Sequence, residues 1–78
     1  MTAYRIEKIT YDGPYMLIRA NGKKYRVRIE QVSARLLRAE QKQRESVRFS
    51  PAGFTVQWPL LDLEMAVSGL MQMAQLAW

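Results

Sequence analysis

The sequence predicts an α+β domain of β-β-β-α-β-β-α order, with helices packed on antiparallel sheet. Three observations carry that expectation. Short β-rich runs fill the first thirty residues and are broken by Asn21-Gly22; helical spacing begins near Glu30; and a second helical segment closes the chain after another β-rich pair around Pro51 and Gly53. Residues 1–78 are read as one domain, because at 78 residues the chain lies near the lower limit of independent folding.

The first strand is expected over Tyr4 to Thr10, followed by a turn at Tyr11-Asp12-Gly13-Pro14. Tyr15–Ala20 and Lys23–Ile29 then flank Asn21-Gly22, a two-residue hairpin signal, because both central residues of a type I′ turn need positive φ. That turn fixes a register of Ala20 with Lys23, Arg19 with Lys24, Ile18 with Tyr25, Leu17 with Arg26, Met16 with Val27 and Tyr15 with Arg28. One face collects Met16, Ile18, Tyr25 and Val27 and is read as core; the other collects Tyr15, Leu17, Arg19, Lys24, Arg26 and Arg28.

From about Glu30 to Glu45 the apolar residues Ile29, Val32, Leu36 and Leu37 take helical spacing, which predicts one amphipathic helix. Ser46–Phe49 and Phe54–Trp58 read as a second hairpin around Ser50-Pro51-Ala52-Gly53, with Phe54, Val56 and Trp58 sharing an inward face and Pro59 ending the strand. The last helix is expected from Asp62, as its cap, to Leu76. Its apolar face is wider than one sheet requires, and the surplus points to self-association through a seam of Met65, Leu70, Met71, Met73, Leu76 and Trp78.

Composition narrows the function classes. The chain has neither Cys nor His, so disulfides, thiolate metal ligands and the commonest general base are all missing. Asp62 and Glu64, two apart, do not face each other on a helix, and no serine has a histidine to activate it. The expectation is a non-enzymatic protein with no cofactor and no metal. Neither an apolar leader nor a run long enough to span a bilayer is readable, so the expected location is cytoplasmic. All twelve Lys and Arg lie in residues 1–48, whereas residues 49–78 carry only Asp62 and Glu64. A basic front and an apolar tail suggest two different surfaces.

Several stretches carry a family resemblance: Arg35-Leu36-Leu37, Ala39, Gln43-Arg44, Ser50-Pro51-Ala52-Gly53-Phe54, Trp58-Pro59-Leu60-Leu61-Asp62 and Val67-Ser68-Gly69-Leu70. In order and spacing this resembles the domain of unknown function 2442 family of small bacterial proteins, and Asn21-Gly22-Lys23 is similar to that family's hairpin. The resemblance implies a compact α+β fold and no enzymatic activity. Its members are often encoded beside another small protein, an arrangement suggestive of toxin–antitoxin pairs. The sequence departs from the pattern at Gln57, where the family has His, at Leu63-Glu64-Met65, which replaces an acidic run, and at Glu40-Gln41, which replaces a helix-interrupting Thr-Pro.

Each candidate site has a plain structural alternative. Ser50, Pro51, Gly53, Trp58, Pro59 and Asp62 are read as structural: a turn, a core tryptophan, a strand stop and a helix cap. The basic face of Tyr15, Arg19, Lys24, Arg26 and Arg28 places like charges opposite one another, which costs stability. Glu7 on the neighbouring strand, or plain solvation, would offset that cost; a protein partner or a phosphate backbone, with Tyr15 free to stack on a base, is the functional alternative. The sequence therefore predicts an antitoxin-like interaction or regulatory module, a homodimer or the binder of a small protein partner, with nucleic-acid binding through the basic hairpin face as the second reading.

Overall fold

Asn21 and Gly22 set the first half of the molecule. The computed structural model describes residues 4–77, and in it both turn residues take positive φ, 54° and 75°. The strands β2 (Tyr15–Ala20) and β3 (Lys23–Arg28) pair with the six partners that such a turn dictates. On the other side of β2 lies β1 (Ile6–Asp12), which runs two residues further than the sequence suggested and turns at Gly13-Pro14. From that turn the register runs unbroken to Ile9 opposite Ile18 and Lys8 opposite Arg19, and a bulge beyond Lys8 then brings Ile6 opposite Ala20.

The expected helix from Glu30 to Glu45 is three short ones, α1 (Ile29–Val32), α2 (Ala34–Leu37) and α3 (Gln41–Glu45). Side chains that cap the following helix mark the breaks. Ser33 is extended, with φ −168° and ψ 132°, and its hydroxyl accepts from the N–H groups of Arg35 and Leu36 at 3.1 and 3.3 Å. Glu40 is extended too and forms a capping box in which its own N–H donates to Gln43 Oε1 at 2.9 Å. The interruption that Thr-Pro would supply is thus made here by Glu40 and Gln43.

A second antiparallel sheet has the order β4-β5-β6, built from β4 (Arg48–Phe49), β5 (Thr55–Trp58) and β6 (Leu63–Ala66). Here the structure corrects the expected C-terminal helix. After a 3-10 turn over Pro59–Leu61, Asp62 adopts a left-handed φ of 50° and ends that turn rather than capping a helix. Leu63 and Met65 pair with Trp58 and Val56, while Glu64 and Ala66 point away; that period-2 pattern lay hidden inside a helical reading. Only Val67–Met73 is helical, as α4, and Gln75–Leu76 forms β7, which returns to pair with β3. Element order therefore differs from the expected one, although the α+β class with antiparallel sheets and helices stands.

Buried side chains from both sheets and the helices join in one cluster: Met16, Ile18, Ala20 and Val27 from the first sheet, Ile29 and Leu36 from α1 and α2, Val56 and Trp58 from β5, Leu61, and Val67, Leu70 and Met71 from α4. Phe54 is not part of it. The residue is 72% exposed, because Ser50 Oγ accepts from the N–H groups of both Phe54 and Thr55 at 3.1 Å and holds Phe54 in the turn, outside the strand. Leu70 and Met71 are likewise removed from the expected seam, since α4 turns them into the core. Met65 and Met73 are half-buried and Leu76 is exposed, while Trp78 lies outside the described residues.

Candidate interaction surface

The registers of the two hairpins together assemble the outer face of the first sheet. Lys8, Arg19 and Lys24 form one row across β1, β2 and β3. Thr10, Leu17, Arg26 and Gln75 form the next, and Asp12, Tyr15 and Arg28 the third. Five of these side chains are cationic and one is a carboxylate. The sequence-predicted set of Tyr15, Arg19, Lys24, Arg26 and Arg28 is thus brought together on one surface, and Lys8 is added to it. Lys8 was missed because the sequence reading set no register between the first strand and the second, although the two-residue Gly13-Pro14 turn fixes one.

Glu7, the expected counter-charge, turns its carboxylate toward the hairpin tip, where Oε1 accepts from Gly22 N–H at 3.0 Å. Tyr15 is not left open either: the Arg26 and Arg28 guanidinium groups sit 5.1 and 5.7 Å from its ring centroid, within cation–π range. Arg28 also pairs with Glu30 at 2.9 Å, an exposed bridge of small energetic weight. Between the first two rows lies a shallow depression of about 230 Å³, lined by Lys8, Thr10, Leu17, Arg19, Lys24 and Ala77. The half-buried Leu17 gives this basic surface an apolar floor.

The inner side of β1 holds a second constellation that sequence reasoning did not find. Trp58 is fully buried, and its indole N–H donates to Tyr11 Oη at 3.1 Å; Tyr11 in turn donates to the Arg44 carbonyl oxygen at 3.1 Å. The Arg44 side chain donates to the carbonyl oxygens of Leu36 and Leu37 at 3.0 and 2.8 Å, closing the end of α2, and its guanidinium lies 5.5 Å from the Tyr11 ring centroid. Burial pushes the Tyr11 phenol above its ordinary value, with the Trp58 hydrogen bond and the Arg44 charge acting the other way. One signal was available: a buried tryptophan normally finds a partner for its N–H.

Arg35 acts similarly, donating through Nη1 to the carbonyl oxygens of Leu61 and Asp62 at 2.9 and 3.0 Å. Arg35 and Arg44, of the Arg35-Leu36 and Gln43-Arg44 segments, are therefore both spent on backbone carbonyls. Among the described residues, no three His, Cys, Asp or Glu side chains gather in a way that could hold a metal ion, and no helix is long and apolar enough to cross a membrane.

Comparison with known proteins places this arrangement. The family model described as "Protein of unknown function (DUF2442)" matches residues 6–75. The chain belongs to this family. Among solved structures, a crystal structure of a protein of unknown function from Rhodospirillum rubrum ATCC 11170 is similar, with 23% identity and a TM-score of 0.70 over 99% of this chain and 98% of the other. At that identity the likeness concerns the fold. No curated protein matches the sequence.

Proposed function

We propose that this family member is a non-enzymatic binding module that docks an acidic protein surface on the outer face of its first sheet, regulating or neutralising a small partner protein in an antitoxin-like way. One observation carries the reading: the register of three strands gathers Lys8, Arg19, Lys24, Arg26 and Arg28 on one face of the sheet around the half-buried Leu17. Like charges opposite one another on a sheet cost stability, and residues that reduce stability are retained where function requires them. The apolar floor at Leu17 suits a protein partner, which buries both kinds of surface. Tyr15, engaged by two guanidinium groups, is poorly placed to stack on a base, which favours protein over nucleic acid. The lack of His and Cys supports a role without catalysis.

The test compares wild type with an Arg19→Glu/Lys24→Glu variant as bait for co-purifying protein, with duplex DNA as a parallel probe. A protein retained by wild type and lost by the folded variant supports the reading. Salt-dependent DNA binding at low salt, lost in the same variant and without a protein partner, would replace it with the nucleic-acid alternative.

A further inference from the structure

The free edge of β1 combines an open ladder with self-complementary charge. In the first sheet, of order β1-β2-β3-β7, β1 is an end strand and, among the described residues, pairs only with β2. Pairs that exchange backbone bonds alternate along an antiparallel ladder with pairs that exchange none, and the pair flanking a two-residue turn is a bonded one. Asp12 with Tyr15, Thr10 with Leu17 and Lys8 with Arg19 are then the bonded pairs. The backbone groups of Ile9 and Tyr11 consequently face the edge. A groove of about 680 Å³ runs along this part of the strand, between Ile9–Tyr11 on one side and Gln41, Arg44 and Glu45 of α3 on the other, so α3 does not cover the edge.

We infer that this edge receives β1 of a second copy of the chain, antiparallel and centred on Thr10. In that register Ile9 lies opposite Tyr11 of the second copy, and each such pair exchanges two backbone bonds, as their outward-facing groups require. On the outer face, Lys8 lies opposite Asp12 of the second copy, twice by symmetry. Slipping the second copy by one residue would set inward-facing residues against outward-facing ones, whereas a two-residue slip that centres the pair on Ile9 keeps the faces matched but sets Lys8 against Thr10 instead. Charge therefore selects the Thr10 centre. The two sheets become one of eight strands with the cationic rows of both copies on the same side, and a two-fold axis makes the contact closed rather than fibrous. Long edge strands elsewhere are guarded by charges and bulges; here the bulge lies between Ile6 and Lys8, at the end of the stretch that pairs. The inference shares Lys8 with the docking reading for the outer face, but its test leaves Arg19 and Lys24 untouched and so can fail separately; it replaces the C-terminal seam, whose Leu70 and Met71 are in the core.

Sedimentation equilibrium on the full chain decides it by charge exchange. Lys8 and Asp12 are exposed, and circular dichroism melting checks that each variant keeps its fold. Lys8→Asp alone and Asp12→Lys alone should each weaken the dimer about tenfold or more, because attraction at two symmetric positions becomes repulsion. The Lys8→Asp/Asp12→Lys double variant should restore it, and Met73→Glu should leave it unchanged. A wild-type chain that stays monomeric at high micromolar concentration overturns the inference. So does a dimer indifferent to either single reversal, or one lost with Met73→Glu.

Discussion

The two faces of the first sheet treat polar groups in opposite ways. On the inner side, the Tyr11 hydroxyl both accepts from Trp58 and donates to the Arg44 carbonyl, and the Arg44 guanidinium ends on two further carbonyls. Every polar atom there has a partner supplied by the fold. On the outer side, Lys8, Arg19 and Lys24 are set against one another by the same register that aligns the core. A satisfied network inside low-dielectric surroundings rigidifies a core, whereas repelling charges in solvent do nothing for it. In a domain this small, Trp58, Arg35 and Arg44, which lie in the stretches that carry the family resemblance, hold the fold together, and the basic outer face proposed for a partner lies outside those stretches.

That contrast breaks most easily at Trp58. With a fully buried indole and a bonded N–H, Trp58→Ala should cost about 3–5 kcal/mol and leave little folded protein, as read by circular dichroism. Native-like melting of that variant would return Trp58 to the surface and collapse the distinction. Next in size is Arg44→Met, which removes the side-chain bonds to Leu36 and Leu37 while keeping most of the apolar stem. A loss of about 2–3 kcal/mol in urea unfolding is expected. Arg44→Lys should rescue little, because a point charge cannot reach both carbonyls as the planar fork does.

Tyr11→Phe sharpens the inner half of the comparison. Loss of a hydroxyl that is both donor and acceptor should cost about 1–2 kcal/mol at neutral pH. It should also alter the alkaline limb. The folded-state value of Tyr11 lies above the unfolded value of 10.0, so its contribution is fully present below pH 10 and is lost as pH rises from there through the folded value. In the Phe variant that part of the alkaline decline should disappear; an unchanged slope would show that the phenol is not buried as described.

How much of this was legible in the sequence depended on the range of the signal. Asn21-Gly22 dictated six residue pairs, because a two-residue turn leaves no freedom of register. The helix from Glu30 to Glu45 was read as continuous because its apolar spacing does continue; the breaks come from Ser33 and Glu40, whose caps compete with the next helical turn. Leu63–Ala66 fits both helical and strand periods, and only pairing with β5 decides between them. Phe54 was placed inward by counting back along the strand, but the Ser50 hydroxyl ends the strand pattern one residue sooner. The basic face was visible as a set, yet Lys8 joins it through the register that the Gly13-Pro14 turn gives β1, and the withdrawal of Glu7 goes with a bulge that no local pattern announces.

The smallest expected effect bears on the central claim. Arg19→Glu places a carboxylate between Lys8 and Lys24, so the free protein should melt at the same temperature or slightly higher, by up to about 1 kcal/mol of stability, while retention of the partner protein falls. Measuring the melting temperature and partner retention of the Arg19→Glu protein side by side tests the account most directly. A stable protein that has lost its partner is the predicted result; a destabilised protein, or one that holds its partner as well as wild type, would contradict it.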